Sequence, residues 1–348
     1  MSRLFSGFIA LALLIHQKAH SEQESRPPYS EEEVSFTNAE VTLAGTLTLP
    51  NSKGPFPAVI LLHGSAPLDR DSSLFGHKPF LVWADHLTRQ GIAVLRFDKR
   101  SAGKSTGNYD TATIQDFASD ALAAVAYLKM RREITQIGLI GHSEGGITAS
   151  IAASKSKDVA FVVLMATPTV NAENLTYVQE ANLQSIDGID KKTITETRKF
   201  RDDMFSVLKN ETKESAEDKL HTLFHKNAID KEVIEKYYGP LEPQIKFFNS
   251  TAFRFWMRFE PSSLFKQLAI PVLALHGDLD FIVSPEQNRK KEVPHKDYTS
   301  ILFPNVNHMF QTCKTGSISE YASIEETTAP QVLHTMSKWI LERTNKRD

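Results

Sequence analysis

A serine stands in a setting that could make it a nucleophile. Residues 137–146 read Ile-Gly-Leu-Ile-Gly-His-Ser-Glu-Gly-Gly, so an apolar strand runs through a Gly-x-Ser-x-Gly turn at Ser143 into a helix of small residues. A serine hydroxyl is a weak nucleophile and must be held clear of its neighbours, beside a base and at a helix N-terminus. Gly141 and Gly145 lack Cβ atoms that would clash in so sharp a turn. The pattern predicts a catalytic Ser143; an ordinary turn with a capping serine is the alternative.

The partners of such a serine follow it in the order serine, acid, histidine. His308 comes just after the last apolar strand, and the carboxyl end of a parallel strand lies on the same sheet edge as Ser143. Two aspartates, Asp278 and Asp280, follow the preceding strand. We favour Asp280 as the orienting acid because it lies further into the turn, whereas Asp278 directly follows a glycine and is expected to bond to backbone. The alternative for His308 is a surface loop histidine.

Backbone N–H groups that could stabilise an oxyanion are predicted at two places. Residues 62–65 read Leu-His-Gly-Ser and end the first parallel strand, so the N–H of Ser65 can point into the site. The second donor is the N–H of Glu144, whose carboxylate needs no catalytic role because a helix dipole favours an acid in the first turn. His63 and His142 are alternative bases. The side chain of His142 should diverge from its neighbour in the turn, and His63 is expected to order the oxyanion loop or to line the substrate pocket.

Alternating strands and helices would position these groups. Nearly continuous apolar runs, typical of strands covered on both faces, occur at residues 58–62, 92–97, 159–165 and 271–275. Amphipathic helices are predicted at residues 79–90, 113–131 and 330–343. Right-handed crossovers then give a mostly parallel, doubly wound sheet. Alternating polar and apolar residues at 34–37 and 41–49 add an N-terminal antiparallel hairpin at the sheet edge.

One long segment, residues 171–260, interrupts this alternation. It contains no convincing buried strand, only charged helical stretches such as residues 190–210 and 231–238. We therefore predict a helical lid at residues 171–260, inserted between the two parts of one α/β core at residues 22–170 and 261–348.

The last part of the lid is dense in aromatic residues. An aromatic stripe at helical spacing usually packs in a core. The functional alternative is that rings such as Phe255 and Trp256 wall an acyl pocket, because ligand pockets are mostly apolar with few polar groups.

Composition excludes several classes of partner. A net charge of -2 gives no electrostatic basis for binding nucleic acid or an anionic membrane. We find no cluster of metal ligands in the sequence and expect neither a metal nor an organic cofactor. Residues 98–105 end in Gly-Lys-Ser after a strand, but the phosphate-loop pattern fails because Asp98 stands where it needs glycine.

The N-terminus has the pattern of an export signal. Arg3 precedes an apolar run at residues 4–15, which is too short to span a bilayer and about right for a signal-peptide core. Small residues in Ala-His-Ser at residues 19–21 predict cleavage of a signal peptide at residues 1–21; an uncleaved anchor is the alternative. No later segment is apolar and long enough to cross a membrane. The single cysteine, Cys313, excludes an intramolecular disulfide, so we expect a periplasmic or secreted protein without disulfides.

Taken together, these residues resemble the α/β-hydrolase superfamily. The chain is most similar to its bacterial branch of lidded esterase, dienelactone-hydrolase-like and serine-aminopeptidase-like proteins. The resemblance runs from about residue 34 to the C-terminus and rests on His63-Gly64, Asp69-Arg70-Asp71, Asp98-Lys99-Arg100 with Gly103 and Ser105, residues 141–146, Gly277-Asp278-Leu279-Asp280 with Val283, and Asn307-His308. It implies a triad of Ser143, Asp280 and His308 with oxyanion donors Ser65 and Glu144. Ala66 and Ser101-Ala102 depart from it by replacing common loop glycines.

The main prediction is a serine hydrolase with an α/β-hydrolase fold that cleaves a small-molecule carboxylic ester through an acyl-enzyme. The alternative activity is a peptidase acting on short peptides, in which lid carboxylates such as Glu173, Glu180 and Asp187 bind the substrate amine. A third hypothesis is a non-catalytic binding protein on a hydrolase fold, although all three triad residue types stand in order.

Overall fold

The computed structural model describes residues 28–186, 188–226, 241–265, 267–286 and 297–344. The predicted signal peptide at residues 1–21, the helical stretch at 231–238 and Asp187 lie outside the described residues. Within the described ranges, no helix combines the length and apolar composition that crossing a membrane requires.

Eight strands form one sheet with the order β1-β2-β4-β3-β5-β6-β7-β8. They are β1 (Tyr29–Asn38), β2 (Val41–Pro50), β3 (Phe56–Leu62), β4 (Ala93–Phe97), β5 (Ile134–His142), β6 (Val159–Met165), β7 (Val272–Gly277) and β8 (Tyr298–Phe303). β1 and β2 form an antiparallel hairpin, β2 pairs antiparallel with β4, and all other neighbours are parallel. The sheet is therefore mostly parallel with an antiparallel hairpin at one edge, as the sequence predicts.

The first strand begins earlier than its hydrophobic pattern indicates. Three successive glutamates, Glu31 to Glu33, occupy its first half. A run of charged residues shows no alternation of apolar and polar positions, so this part of the edge strand is not recognisable from the pattern. Arginines of the neighbouring elements bind them: Arg96 contacts Glu31, Arg131 contacts Glu32 and Arg70 contacts Glu33. Charged side chains on an edge strand also discourage pairing with another chain.

Helices cover both faces of the sheet. They are α1 (Pro79–Arg89), α2 (Ile114–Lys129), α3 (Glu144–Lys155) and, at the C-terminus, α10 (Pro330–Thr344). Buried apolar residues of α2 and α3 pack on one face, and those of α1 and α10 pack on the other. Two hydrophobic cores, one on each side of the sheet, thus hold the strand ends in place.

The predicted lid, residues 171–260, contains five described helices and no described strand. They are α4 (Ala172–Ile186), α5 (Lys191–Asn210), α6 (Lys213–Lys226), α7 (Leu241–Phe248) and α8 (Thr251–Arg258), and the short α9 (Pro261–Phe265) returns the chain to the sheet. The lid has a hydrophobic core of its own, which includes Phe200, Met204, Phe205, Leu208, Leu220, Phe224, Ile245, Phe248, Phe253 and Met257. Many of the aromatic residues noted in the sequence therefore serve lid packing.

Candidate active site

Ser143 lies in a sharp turn between β5, which ends at His142, and α3, which begins at Glu144. Its backbone has φ 54° and ψ -122°, a strained conformation for a residue with a Cβ atom. A Cβ added to Gly141 would lie 2.2 Å from the carbonyl oxygen of Gly145, and one added to Gly145 would lie 2.1 Å from that of Leu62. Backbone contacts this close require glycine at both positions, and they hold Ser143 at the tip of the turn.

His308 and Asp280 form a buried hydrogen-bonded pair. His308 Nδ1 lies 2.8 Å from Asp280 Oδ2, and Asp280 is fully buried. The other carboxylate oxygen, Oδ1, accepts the N–H groups of Ile282 at 2.9 Å and Val283 at 2.8 Å. An ionised carboxylate only accepts hydrogen bonds, so His308 carries its proton on Nδ1 and keeps the lone pair on Nε2. His308 can therefore act as a base through Nε2.

Asp278, the second aspartate of the same turn, has a different environment. It is exposed, and its Oδ1 accepts the backbone N–H of Asn305 at 2.6 Å. Asp278 thus joins the loop after β7 to the loop after β8, whereas Asp280 contacts the imidazole.

Both alternative bases, His142 and His63, are buried histidines that bind backbone through Nε2 and are weak proton acceptors. His142 Nε2 lies 3.0 Å from the backbone oxygen of His308, so that nitrogen carries the proton and donates it to the carbonyl. His63 Nε2 makes the same kind of bond to the backbone oxygen of Asp69, at 2.8 Å. Burial lowers the pKa of both histidines to about 3. Both rings are therefore neutral at ordinary pH and support the loops around Ser143. The centres of the His142 and His308 rings lie 4.8 Å apart.

The loop after β3 passes directly beside the nucleophile. A Cβ added to Gly64 would lie 3.3 Å from the Cβ of Ser143. Within the described part of the chain, the backbone N–H of Ser65 donates no hydrogen bond. Glu144 is the first residue of α3, where backbone N–H groups have no intrahelical partner. Both N–H groups proposed from the sequence as oxyanion donors therefore lie next to Ser143.

A buried ion pair that the sequence analysis did not anticipate lies behind these donors. Lys99 Nζ is 3.0 Å from Glu144 Oε1 and 2.9 Å from the carbonyl oxygen of Gly64. The other carboxylate oxygen of Glu144 accepts the hydroxyl of Ser65 at 3.1 Å. The acid at position 144 is therefore explained by its bonds to Lys99 and Ser65 as well as by the helix dipole. The sequence did contain a signal for this ion pair: Lys99 stands two residues after the end of the buried strand β4, directly after Asp98.

The two positions that depart from the family pattern adopt backbone conformations that favour glycine. Ala66 has φ 94° and Ser101 has φ 65°. The hydroxyl of Tyr109 accepts the N–H of Ala66 at 2.8 Å, and the hydroxyl of Ser101 accepts the N–H of Tyr109 at 2.9 Å. Side-chain hydrogen bonds centred on Tyr109 therefore stabilise both unusual loop conformations.

The loop at residues 67–71 is ion-paired to β4 and the residue after it. Arg70 binds Asp98 through two nitrogens, at 3.2 and 2.9 Å, and Asp71 binds Arg96 at 2.9 Å. These contacts give the loop a structural role.

A cavity of about 920 Å³ opens between the core and the lid. On the core side, Ser65 and Glu144 line it together with the loop at residues 108–111. On the lid side, it is lined by residues of α6, α7 and α8, including Phe247, Phe253 and Trp256. The cavity therefore begins at the two predicted oxyanion residues and extends under the lid, while Ser143 itself is not among its described lining residues.

Of the three predicted pocket residues, only Trp256 lines this cavity. His63 is buried beneath the site, where its ring packs on Phe80 at 4.8 Å. Phe255 stacks on Phe259 at 5.9 Å and packs against the sheet core. Phe255 and Trp256 both pack against the sheet core, but successive residues of a helix point in different directions, and of the two only Trp256 also reaches the cavity.

Two of the lid carboxylates proposed for binding a substrate amine, Glu173 and Glu180, are also placed elsewhere. Glu173 binds Lys209 and Glu180 binds Arg201, and neither glutamate lines the cavity. Other carboxylates do line it, namely Asp110, Glu217 and Glu242, alongside Lys213 and Lys246. Lys246 contacts Asp110 at 2.9 Å and so joins the lid to the core. Within the described ranges, no group of three or more His, Cys, Asp or Glu residues could hold a metal ion.

A family model described as serine aminopeptidase, S33, matches residues 58–312. The chain belongs to this family. The S33 match includes the serine turn, both aspartates of the β7 turn and His308. The fold and the family resemblance predicted from the sequence are thereby confirmed, and the chain is an α/β-hydrolase.

One relative of this S33 chain is an esterase. Esterase EstD of Thermotoga maritima is 29% identical over 310 residues, which cover 86% of this chain and 66% of EstD. The chain thus spans just under two thirds of that relative.

Solved structures agree on the fold. Est1E of Butyrivibrio proteoclasticus with ferulic acid bound has a TM-score of 0.55 at 16% identity, over 90% of this chain and all of Est1E. The proline iminopeptidase of Mycobacterium smegmatis has a TM-score of 0.58 at 14% identity, over 91% of this chain and all of that one.

Proposed function

We propose that this chain is a serine hydrolase that cleaves carboxylic esters through an acyl-enzyme. Ser143 would be the nucleophile, His308 the base and Asp280 the group that orients the base. The observation that carries the proposal is the buried 2.8 Å contact between His308 and Asp280, with the His308 ring packed on that of His142, the residue before a serine held at φ 54°. The similarity to EstD supports an ester as the substrate.

In acylation, Ser143 Oγ attacks the ester carbonyl carbon while His308 Nε2 takes the hydroxyl proton. The resulting imidazolium keeps its Nδ1–H on Asp280, whose buried carboxylate stabilises the positive charge. The carbonyl oxygen becomes an oxyanion that accepts the N–H groups of Ser65 and Glu144. His308 then returns the proton to the departing alcohol.

Deacylation repeats these steps with water. His308 Nε2 takes a proton from a water molecule, the hydroxide attacks the acyl carbon, and the proton passes to Ser143 as the acid leaves. The same two backbone N–H groups donate to the second oxyanion. All the groups needed for both halves are side chains or backbone of this chain.

The cavity under the lid is proposed to hold one apolar group of the ester. Phe247, Phe253 and Trp256 provide aromatic wall on the lid side. Apolar lining with a few polar groups is typical of sites that bind small organic molecules. We therefore expect the enzyme to distinguish esters by the size of the group that this cavity accepts.

A peptidase activity is the second candidate. Asp110, Glu217 and Glu242 line the cavity and offer carboxylates to a substrate ammonium group. The description of the family as serine aminopeptidase favours the same candidate. Against it, Lys246 already binds Asp110, and Lys213 shares the cavity wall with Glu217.

The test compares Ser143→Ala with the wild type on p-nitrophenyl esters of increasing acyl length and on aminoacyl p-nitroanilides. We expect ester turnover by the wild type and its loss, by more than about 10³-fold, in Ser143→Ala. Ser150→Ala is the matched control, since Ser150 is a buried serine of α3, the helix that follows Ser143, and its hydroxyl bonds to the Gly146 carbonyl. A wild type that is active on anilides but not on esters would favour the peptidase.

A fluorophosphonate probe adds a second readout that does not depend on the choice of substrate. The probe should label the wild type and Ser150→Ala, and leave Ser143→Ala unlabelled. A folded wild type that neither turns over substrate nor reacts with the probe would support the non-catalytic binding hypothesis and contradict the proposed function.

We also propose that the protein is exported. The support is the apolar run at residues 4–15 after Arg3. Expression of the full chain in a bacterium, followed by N-terminal sequencing of the periplasmic fraction, should give a mature chain beginning at Glu22. Full-length protein confined to the cytoplasm would contradict this proposal.

A further inference from the structure

Side chains directly link the two residues proposed to donate to the oxyanion. The Ser65 hydroxyl donates to Glu144 Oε2 at 3.1 Å, and the second oxygen of that carboxylate binds Lys99 Nζ at 3.0 Å. Lys99 Nζ also donates to the Gly64 carbonyl oxygen at 2.9 Å. One ion pair therefore contacts both chain segments that supply the oxyanion donors.

The bond from Lys99 to Gly64 fixes the direction of a specific N–H. In a trans peptide the carbonyl oxygen and the N–H of the next residue point to opposite sides. Holding the Gly64 carbonyl on Lys99 therefore turns the Ser65 N–H to the side away from the lysine. A Cβ added to Gly64 would lie 3.3 Å from the Ser143 Cβ, so this peptide is immediately beside the nucleophile.

The pair is buried and held from several directions. The Lys99 side chain is 7% exposed and that of Glu144 is 10% exposed. The Lys99 ammonium also lies 4.1 Å from the centre of the Phe117 ring and 5.0 Å from that of Tyr109. A buried ion is costly unless it is paired, so each partner depends on the other to remain charged.

The charge of Lys99 has a second consequence for catalysis. The Glu144 carboxylate lies close to the place where the oxyanion would form, because its own backbone N–H is one of the donors. A second negative charge there would destabilise the transition state, and the effect of charge is strong where water is excluded. The Lys99 ammonium neutralises that carboxylate.

We propose that Lys99 and Glu144 are positioning residues that preorganise the oxyanion hole, a role that rests on the proposed function. Neither side chain exchanges a proton in the reaction. Lys99 aims the Ser65 N–H through the Gly64 carbonyl, Glu144 anchors the Ser65 side chain, and the pair leaves no net charge beside the oxyanion.

The experiment compares Lys99→Met, Glu144→Gln and the double variant, with kcat and KM measured on the best p-nitrophenyl ester. Loss of one oxyanion donor typically lowers kcat by about 10²- to 10³-fold, and we expect Lys99→Met to approach the lower figure with KM nearly unchanged. Glu144→Gln keeps a side chain that can bind both Ser65 and Lys99, so we expect about a tenfold loss or less. The double variant should be more active than Lys99→Met alone, because it no longer buries an unpaired carboxylate.

Affinity for a boronic acid inhibitor, which forms a tetrahedral anion on the serine, is the readout specific to the oxyanion hole. It should weaken in Lys99→Met by the same factor as kcat/KM. Lys129→Met is the matched control, since Lys129 pairs with Asp158 on the surface and should leave kcat and inhibitor affinity unchanged. A Lys99→Met variant with wild-type kcat and inhibitor affinity overturns the proposal.

The remaining outcomes separate this proposal from the proposed function. If Lys99→Met does not fold, the double variant becomes the test: a kcat at least tenfold below wild type supports the positioning role, and a wild-type kcat overturns it. A wild type without ester turnover or probe labelling would refute the proposed function, and the positioning role with it. If the fluorophosphonate probe labels the wild type and Lys99→Met at equal rates, the positioning role is refuted and the proposed function is not.

Discussion

Replacing Asp280 by asparagine should abolish catalysis while leaving the protein folded. Asp280 accepts three hydrogen bonds: Oδ2 takes the Nδ1–H of His308, and Oδ1 takes the N–H groups of Ile282 and Val283. An asparagine of the same shape has only one oxygen to offer. Its amide nitrogen must face either the imidazole or the two backbone donors.

The costs of the two orientations decide between them. Turning the amide nitrogen toward the backbone leaves two buried N–H groups without an acceptor, at about 1 to 3 kcal/mol each. Turning it toward His308 costs much less, because a neutral imidazole can move its proton from Nδ1 to Nε2 and accept instead. The variant should adopt the second orientation, which puts the proton on the nitrogen that must act as the base.

The expected loss of kcat is about 10⁴-fold, or about 5.5 kcal/mol of transition-state stabilisation. Ester turnover at pH 7 to 8 measures it, and thermal unfolding checks that the variant is folded. Asp278→Asn is the matched control, because Asp278 is exposed and accepts one backbone N–H that an amide oxygen can also accept. Its kcat should stay within about threefold of wild type.

Either of two results would contradict this role of Asp280. An Asp280→Asn variant that keeps more than a tenth of wild-type kcat would mean that this carboxylate does not set the tautomer of His308. A large loss in Asp278→Asn with a small loss in Asp280→Asn would reverse the roles of the two aspartates.

Two further predictions follow from the loops around Ser143. Gly145→Ala should destabilise the protein by about 1 to 3 kcal/mol and reduce labelling by the fluorophosphonate probe, because the added Cβ would lie 2.1 Å from the Leu62 carbonyl oxygen. An unchanged melting temperature with normal labelling would contradict this prediction. Burial lowers the pKa of His63 and of His142 from 6.5 to about 3, so only the unfolded chain takes up these protons as the pH falls below 6.5. The free energy of unfolding should then fall between pH 6.5 and 3 by about 1.4 kcal/mol per pH unit for each histidine. Denaturant titrations at pH 7, 6 and 5 measure how the free energy of unfolding changes with pH. His142→Gln should remove the contribution of one histidine, about 1.4 kcal/mol per pH unit. A free energy of unfolding that does not change over this range would contradict the prediction.

Much of the core could be predicted because its signals are local. The runs of apolar residues that became β3 to β7 are short and bounded by turn residues, which is the pattern of strands covered on both faces. The edge strand β1 was partly missed, since charged residues on a solvent-facing edge carry no hydrophobic periodicity. The lid helices were recognisable as helices, but a helical pattern does not state which neighbour each face will contact.

The candidate site divides in the same way. The sequence by itself determined the glycines around Ser143, the order of serine, aspartate and histidine, and their placement after parallel strands. These depend on turn sterics and on the rule that parallel strands end at one sheet edge. Only the tertiary structure decided that Lys99 pairs with Glu144, that Trp256 rather than Phe255 lines the cavity, and that Glu173 and Glu180 do not line it. Each of these depends on the direction of a side chain between segments far apart in sequence, and that direction is set by packing rather than by local pattern.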